Sequence, residues 1–163
     1  MAITKAKKGE IIAKLTDAFK DATSLVFVQF NKLTVKDASE LRKSLRQDGI
    51  GYIVAKKTLI RRALQAQGYT GEVPELPGEI AVAWGTADAS APARGVYTYV
   101  KKLKEVLSIV GGVFEGAFAD AKKMKEIATI PPMQVLRGMF ANVINSPRAR
   151  FAIALGEVAK LKK

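Results

Sequence analysis

The sequence predicts an α/β fold: a layered sheet of about four strands flanked by helices, followed by a long, kinked, amphipathic C-terminal helix. Short β-branched and aromatic runs alternate with segments whose apolar residues recur every three or four positions. The length of 163 residues and the 48% hydrophobic content suit a globular chain of about one domain. Pro131 and Pro132 interrupt the alternation. We therefore predict a globular domain over residues 1–130 and a helical tail over 131–163.

The first 68 residues predict three helices separated by two strands. Ile11, Leu15 and Phe19 lie at helical spacing in a first helix that extends from Lys5 to about Asp21. Thr34 can cap the second helix, and Gly49 can adopt the positive φ that ends it. The remaining predicted bounds are strands over 24–30 and 51–55 and helices over 35–48 and 56–68, the last of which has Arg61 and Arg62 on its outer side.

The next part of the chain predicts two further strands and two further helices. A loop rich in Pro and Gly over 69–78 precedes them. The predicted elements are a strand over 79–85, a helix over 87–105, a strand over 107–116 and a short helix near 119–128. Within GGVFEG, the glycines from Gly111 to Gly116 indicate a β-bulge or a close packing position.

The tail contains two apolar stripes at helical spacing, and Ser146 and Pro147 separate them. Ser146 and Pro147 resemble the N-cap and the first residue of a new helix. The two stripes are offset by 15 residues, so we expect two amphipathic units. One alternative is a kinked terminal helix that folds back on its own domain. Five other helices can already cover both faces of a four-stranded sheet, which favours a partner for the stripes instead.

The net charge of +12 favours a polyanionic partner such as nucleic acid. Residues 1–70 contain 14 basic and 6 acidic side chains, residues 71–130 contain 7 and 8, and residues 131–163 contain 6 and 1. A single charge run is usually a solvated helix face, but several clusters can converge on one phosphate backbone. The clusters are Lys5, Lys7 and Lys8; Arg42, Lys43 and Arg46; and Lys56, Lys57, Arg61 and Arg62.

The aromatic content of the basic region indicates how RNA would be recognised. The basic region lacks the aromatic signature of proteins that stack single-stranded bases, so recognition of folded RNA by shape and phosphate is the better expectation. Trp84, the single tryptophan, is expected in the core because its strand is apolar.

Catalysis is not expected, and neither is a metal or another cofactor. The chain has no Cys and no His, which removes the usual metal ligands, the usual nucleophile pairs and the commonest general base. Phosphate-loop, dinucleotide-binding and zinc motifs are absent from the sequence. The acidic pairs Asp17 with Asp21 and Asp37 with Glu40 are expected to be solvated or balanced by lysines. No uncharged stretch is long enough for a membrane span, so we expect a cytoplasmic protein without membrane contact.

The run LTVKDASELRKSLRQDGIGYIVAKKTLIRRAL, residues 33–64, closely resembles the signature region of the ribosomal protein L-ten family, which forms the base of the large-subunit stalk. The similarity continues through PGEIAVAWG, GGVFEG and the Pro-led tail, so it extends over essentially the full chain. The resemblance implies the bacterial type, because the sequence shows no insertion domain and no acidic C-terminal peptide after the tail. The chain departs from the family at Lys57, where Asn is usual, and at Asn31 and Lys32, where Arg-Gly is usual.

The resemblance implies a structural constituent of the large ribosomal subunit. The N-terminal domain of this chain would bind large-subunit ribosomal RNA beside a neighbouring stalk-base ribosomal protein. Its tail would anchor dimers of the acidic stalk protein, which recruits translation factors. The RNA-binding role then falls on Lys7, Lys8, Arg42, Arg46, Lys56, Lys57, Thr58, Arg61 and Arg62. The dimer-binding role falls on Leu136, Met139, Phe140, Val143, Ile144, Phe151, Leu155 and Val158.

Several alternatives stay open on the sequence alone. A general DNA- or RNA-coating protein would not need the apolar tail, and a phosphate-handling enzyme would need a carboxylate constellation that the sequence does not offer. Two apolar stripes would hold two dimers, but the sequence does not fix the number of dimers. It also does not show whether the tail is ordered in the absence of a partner. The family also suggests binding to the leader of its own message.

Overall fold

The computed structural model describes residues 5–71, 74–86, 88–103 and 106–161. The chain divides into two compact units, one that ends at Ile130 and one that begins at Pro131. The first unit contains a sheet with five helices, and the second contains one long helix. This is the α/β architecture with a long C-terminal helix that the sequence predicts.

The elements follow the predicted alternation closely. Five strands are present among the described residues, one more than predicted. In chain order the elements are α1 (Lys5–Lys20), β1 (Ser24–Phe30), α2 (Val35–Gln47), β2 (Gly51–Val54), α3 (Lys57–Gln67), β3 (Glu79–Gly85), α4 (Ala91–Lys102), β4 (Leu107–Phe114), β5 (Ala117–Asp120), α5 (Ala121–Thr129) and α6 (Met133–Leu161).

The five strands form one antiparallel sheet in the order β2-β3-β1-β4-β5. β1 lies at the centre, between β3 and β4, and it pairs with both along its whole length. β2 and β5 are the edge strands. The predicted fourth strand, 107–116, ends earlier, as β4 at Phe114, and its last two residues, Glu115 and Gly116, form the turn into β5.

Helices cover both faces of the sheet because successive residues of β1 point to opposite sides. Val26 and Val28 pack in a core with residues of α2, α4 and α5, whereas Leu25 and Phe27 pack in a second core with residues of α1 and α3. Two hydrogen bonds between residues distant in sequence connect α1 to the end of α3 and the segment after it. Gln67 Nε2 donates to the Thr16 carbonyl at 2.9 Å, and Tyr69 Oη donates to the Phe19 carbonyl at 3.1 Å. The sheet is therefore the middle of three layers.

The predicted local signals act as expected. Thr34 is the N-cap of α2, and its Oγ1 accepts from the Asp37 amide. Gly49 and Gly68 follow α2 and α3 with φ angles of 71° and 67°, which side chains rarely adopt. Within the predicted glycine segment, Gly112 is a close packing position, because a Cβ there would collide with the Leu25 carbonyl oxygen, and the pairing of β1 with β4 shifts register just before it.

The tail forms one long helix, as predicted, but without the fresh N-cap that the sequence suggests at Ser146 and Pro147. α6 continues from Met133 to Leu161 with Pro147 inside it, so Ser146 does not begin a new helix. Proline at this point removes the amide that would donate to the Val143 carbonyl and crowds that carbonyl with its ring, and most residues around it are exposed. A single interior proline is therefore tolerated, and helical periodicity on both sides outweighs the local N-cap signal.

Candidate functional site

The basic residues of α2 are exposed because the helix buries a different face. Leu41 and Leu45 are buried one turn apart against the sheet. Arg42, Lys43 and Arg46 are exposed. The structure thus places two of the predicted RNA-binding residues on one helix surface, and it adds Lys43 beside them.

The basic residues of α3 follow the same pattern on a shorter helix. Leu59, Ile60, Ala63 and Leu64 are buried, as predicted, and Arg61 and Arg62 are exposed. Lys56 is the N-cap of this helix, and Lys57 and Thr58 begin its first turn, with all three side chains exposed. The free amides and the positive dipole end of a helix attract anions at this position.

The two clusters lie on opposite faces of the sheet. α2 belongs to the core that contains Val26 and Val28, and α3 belongs to the core that contains Leu25 and Phe27. The edge strand β2 connects the two helices in the chain. Lys8 is exposed on α1, in the same layer as α3, and the side chain of Lys7 lies outside the described residues. Because β2 is an edge strand, a single polyanion that passes around this edge can contact both clusters.

A groove lies beside α2 at the beginning of this edge strand. It has a volume of about 680 Å³, and it is lined by Arg42, Lys43, Arg46, Tyr52 and Trp84 among others. The Arg42 guanidinium lies 6.0 Å from the centre of the Tyr52 ring, within cation–π range. Burial raises the pKa of Tyr52, and the nearby Arg42 charge opposes that rise.

Sequence reasoning missed the aromatic half of this groove. Trp84 is partly buried and packs against the core of the α1 and α3 layer, as expected, but it also lines the groove. Its position depends on its pairing with Gly51, 33 positions earlier in the chain. Tyr52 could have been suspected from its place directly after the basic helix, whereas no local signal reveals Trp84.

A second, smaller cavity lies at the other end of β2. It has a volume of about 420 Å³, and its lining combines Lys56 and Lys57 with apolar side chains of α1, β2 and β3. Val54 lies in this lining and is 44% exposed on the edge strand. The beginning of α3 therefore presents both charge and apolar surface.

The eight predicted partner-binding residues of α6 are all exposed. Phe140 and Phe151 are 68% and 67% exposed, and no residue of this helix is buried. Of the 15 large apolar side chains that are exposed in the described chain, 12 lie on α6, so the apolar surface is concentrated there. At about 100° per residue, the eight side chains fall within about 160° of one side of the helix.

The acidic residues form no catalytic constellation in the described ranges. The Asp17 carboxylate lies 4.0 Å from the Lys20 ammonium, and the Asp37 carboxylate accepts from Thr34 Oγ1 at 2.6 Å. Over the same ranges there is no group of three or more Asp or Glu placed to hold a metal ion. No helix in the described part of the chain is both long and apolar enough to cross a bilayer.

Comparison with known proteins gives one consistent family. The family model described as Ribosomal protein L10 matches residues 3–101. The chain is 38% identical to the large ribosomal subunit protein uL10 of Shouchella clausii over 157 residues, which cover 96% of this chain and 94% of the relative. It is 35% identical to the proteins of the same name from Staphylococcus carnosus and Alkaliphilus metalliredigens, over 99% and 95% of this chain and 96% and 93% of the relatives. The chain belongs to the ribosomal protein L10 family.

Proposed function

We propose that this chain is a stalk-base scaffold of the large ribosomal subunit. Its N-terminal unit binds large-subunit ribosomal RNA beside a neighbouring ribosomal protein, and its C-terminal helix anchors dimers of the acidic stalk protein, which support recruitment of translation factors. Family membership gives the chain a structural, non-enzymatic role in the ribosome. The observation that carries the finer proposal is the concentration of exposed apolar residues on α6, whereas the basic clusters that flank β2 lie within residues 1–130.

The RNA-binding half rests on the two cation clusters that flank β2. The side chains of Arg42 and Arg46 on one face and of Arg61 and Arg62 on the other are exposed. Cations that contact phosphates release counterions, so their contribution is electrostatic and depends on salt. The beginning of α3, where Lys56 makes no side-chain cap hydrogen bond, supplies a further place for a phosphate.

The dimer-binding half rests on the spacing along α6. Leu136, Phe140 and Val143 are repeated 15 residues later by Phe151, Leu155 and Val158. At 1.5 Å and about 100° per residue, this offset moves a docking segment about 22 Å along the helix and turns it by only about 60°. Two dimers can therefore dock on one side of the helix. The charge of residues 131–163, with 6 basic and 1 acidic residue, suits an acidic partner.

Substitutions within α6 test the docking segments separately. We expect Leu136→Ser with Phe140→Ser to remove one dimer of the acidic stalk protein, and Phe151→Ser with Leu155→Ser to remove the other. Each pair of substitutions removes two apolar side chains that a docked dimer would bury. The measurement is the mass of the complex in solution with excess acidic stalk protein. Asn145→Ser with Ala152→Ser, on the opposite side of the helix, is the matched control and should leave two dimers bound.

A truncated chain tests the division between the two units. A chain that ends after Pro131 should bind ribosomal RNA as the full chain does and should no longer capture the acidic protein. If this truncated chain still captured the acidic protein at the same stoichiometry, α6 would not be the anchor.

Paired arginine substitutions test the RNA-binding half. We expect Arg61→Ala with Arg62→Ala to weaken binding to a stalk-base fragment of large-subunit ribosomal RNA. The slope of log K against log salt should fall by about 0.7 to 0.9 for each phosphate contact that is lost. The measurement is a salt titration of binding. Lys122→Ala with Lys123→Ala, which removes the same charge from exposed positions on α5, is the control. An equal drop in slope for both pairs would mean that only net charge matters.

A further inference from the structure

We infer that the groove between α2 and Trp84 receives an unpaired nucleobase of RNA, with the base stacked on the Trp84 indole and its flanking phosphates on Arg42, Lys43 and Arg46. The inference rests on the proposed RNA-binding function and names the RNA feature that this part of the surface recognises. It revises the expectation that folded RNA is recognised here by shape and phosphate alone.

The position of the Trp84 ring is built into the register of the sheet. Gly51 pairs with Trp84 across β2 and β3, and a Cβ on Gly51 would collide with Cε2 and Cζ2 of the indole. The ring therefore occupies the space above the Gly51 backbone, at the edge of the sheet. Because β2 is the edge strand, no further strand covers the ring on that side within the described chain. The partly buried indole thus lies beside the open edge of the sheet, where it lines the groove.

The groove that Trp84 lines is rich in cations. Arg42, Lys43 and Arg46 line the same groove, and all three are exposed. Acidic side chains are absent from the groove lining over the described residues. A groove volume of about 680 Å³ lies within the range of about 300 to 1,000 Å³ that is typical of small-molecule sites. A nucleotide offers both the planar base and the negative phosphates that this arrangement matches.

An acidic peptide is the main competing occupant, and the composition of the groove favours RNA over it. A peptide carboxylate could pair with the three cations but would leave the indole without a planar partner. Base stacking on an aromatic side chain strengthens binding substantially and accepts any base, whereas the cations hold the backbone. The neighbouring Tyr52 adds a second ring to the lining, with Arg42 already over its face.

The single tryptophan of the chain provides a direct probe of this site. We would titrate the full chain with a six-nucleotide oligoriboadenylate and record Trp84 fluorescence, and we expect it to be quenched on binding. The same oligonucleotide with abasic central residues should bind more weakly and leave the fluorescence unchanged. Unchanged fluorescence with a bound intact oligonucleotide would overturn the inference, and so would equal quenching by polyglutamate.

Three variants separate the contribution of stacking from that of charge when the chain binds the stalk-base RNA fragment. We expect Trp84→Leu to weaken binding about tenfold without changing the salt slope, because stacking releases no counterions, and Trp84→Phe to restore most of the affinity. Arg42→Gln with Arg46→Gln should lower the slope instead. Thermal unfolding of each variant shows whether it has folded.

The outcomes separate this inference from the function on which it rests. Unaltered affinity of a folded Trp84→Leu variant would overturn the stacking site while leaving RNA binding by the scaffold in place. Failure of the unsubstituted chain to bind the stalk-base fragment at all would overturn both.

Discussion

Glu115 and Gly116 form the two-residue loop between β4 and β5, with φ angles of 51° and 80°. Positive φ at both central positions is typical of a type I′ turn, for which Asn-Gly is the preferred sequence. Glutamate in the left-handed region has a steric cost that asparagine largely avoids. The turn is therefore formed by a residue that does not favour it, which explains why the sequence predicts one long strand here.

We predict that Glu115→Asn raises the free energy of unfolding by about 0.5 to 1 kcal/mol, because asparagine tolerates this backbone conformation. Chemical denaturation of the two chains measures the difference. Gly116→Ala, which places a side chain at the φ of 80°, should destabilise the protein. A Glu115→Asn variant with lower stability than the parent would show that Glu115 makes a contribution beyond the turn.

Residue-level prediction from sequence succeeds where the signal is local. The alternation of buried and exposed positions places Leu59 and Ile60 inward and Arg61 outward, and the structure agrees. Trp84 is different, because its access to the groove depends on its long-range pairing with Gly51. No periodicity within β3 contains that information.

At the scale of elements, the beginning of α4 is held by one carboxylate. Asp88 Oδ1 accepts from the Ser90 amide at 2.9 Å and from Ser90 Oγ at 3.0 Å, and Asp88 Oδ2 accepts from the Arg94 guanidinium at 3.2 Å. These hydrogen bonds, foremost the one from the Ser90 backbone, hold the pKa of Asp88 below its ordinary value. The ionised form is thus favoured in the folded state, which ties the entry of α4 to its first turn.

We predict a pH-dependent effect of Asp88→Asn on stability. Because the pKa of Asp88 is lower in the folded protein than in the unfolded chain, ionised Asp88 stabilises the fold above about pH 4, its ordinary range. This contribution is lost as the pH falls through the folded-state pKa. The free energy of unfolding should therefore differ most between parent and variant near neutral pH and least in acid. A difference that stays constant between about pH 7 and pH 2 would exclude this role for the carboxylate.

Among the elements, the sequence predicts helices better than it predicts sheet pairing. The bounds of β1 and β3 agree with their predictions to the residue, and those of α1, α2 and α3 agree within one or two. β5 has only four residues, too few for a period-2 pattern, and its pairing with β4 identifies it. The strand order β2-β3-β1-β4-β5 depends on contacts between distant segments, which composition and periodicity do not encode.

At the scale of the whole molecule, the exposed apolar side chains are concentrated on α6, whereas basic side chains lie on both units. Cations flank the β2 edge of the first unit, and exposed apolar side chains follow one side of α6. The sequence predicts this distribution, because the charges and the two apolar stripes are readable along the chain. The placement of α2 and α3 on opposite faces of the sheet is not readable there, since it requires the fold.

The most direct test of the scaffold proposal is the mass in solution of the full chain mixed with the stalk-base RNA fragment and excess acidic stalk protein from the same organism. We predict one complex that contains the RNA, one copy of this chain and four copies of the acidic protein, because the two binding surfaces lie on separate parts of the chain. Mutually exclusive binding of RNA and acidic protein, or no capture of the acidic protein at all, would contradict the account.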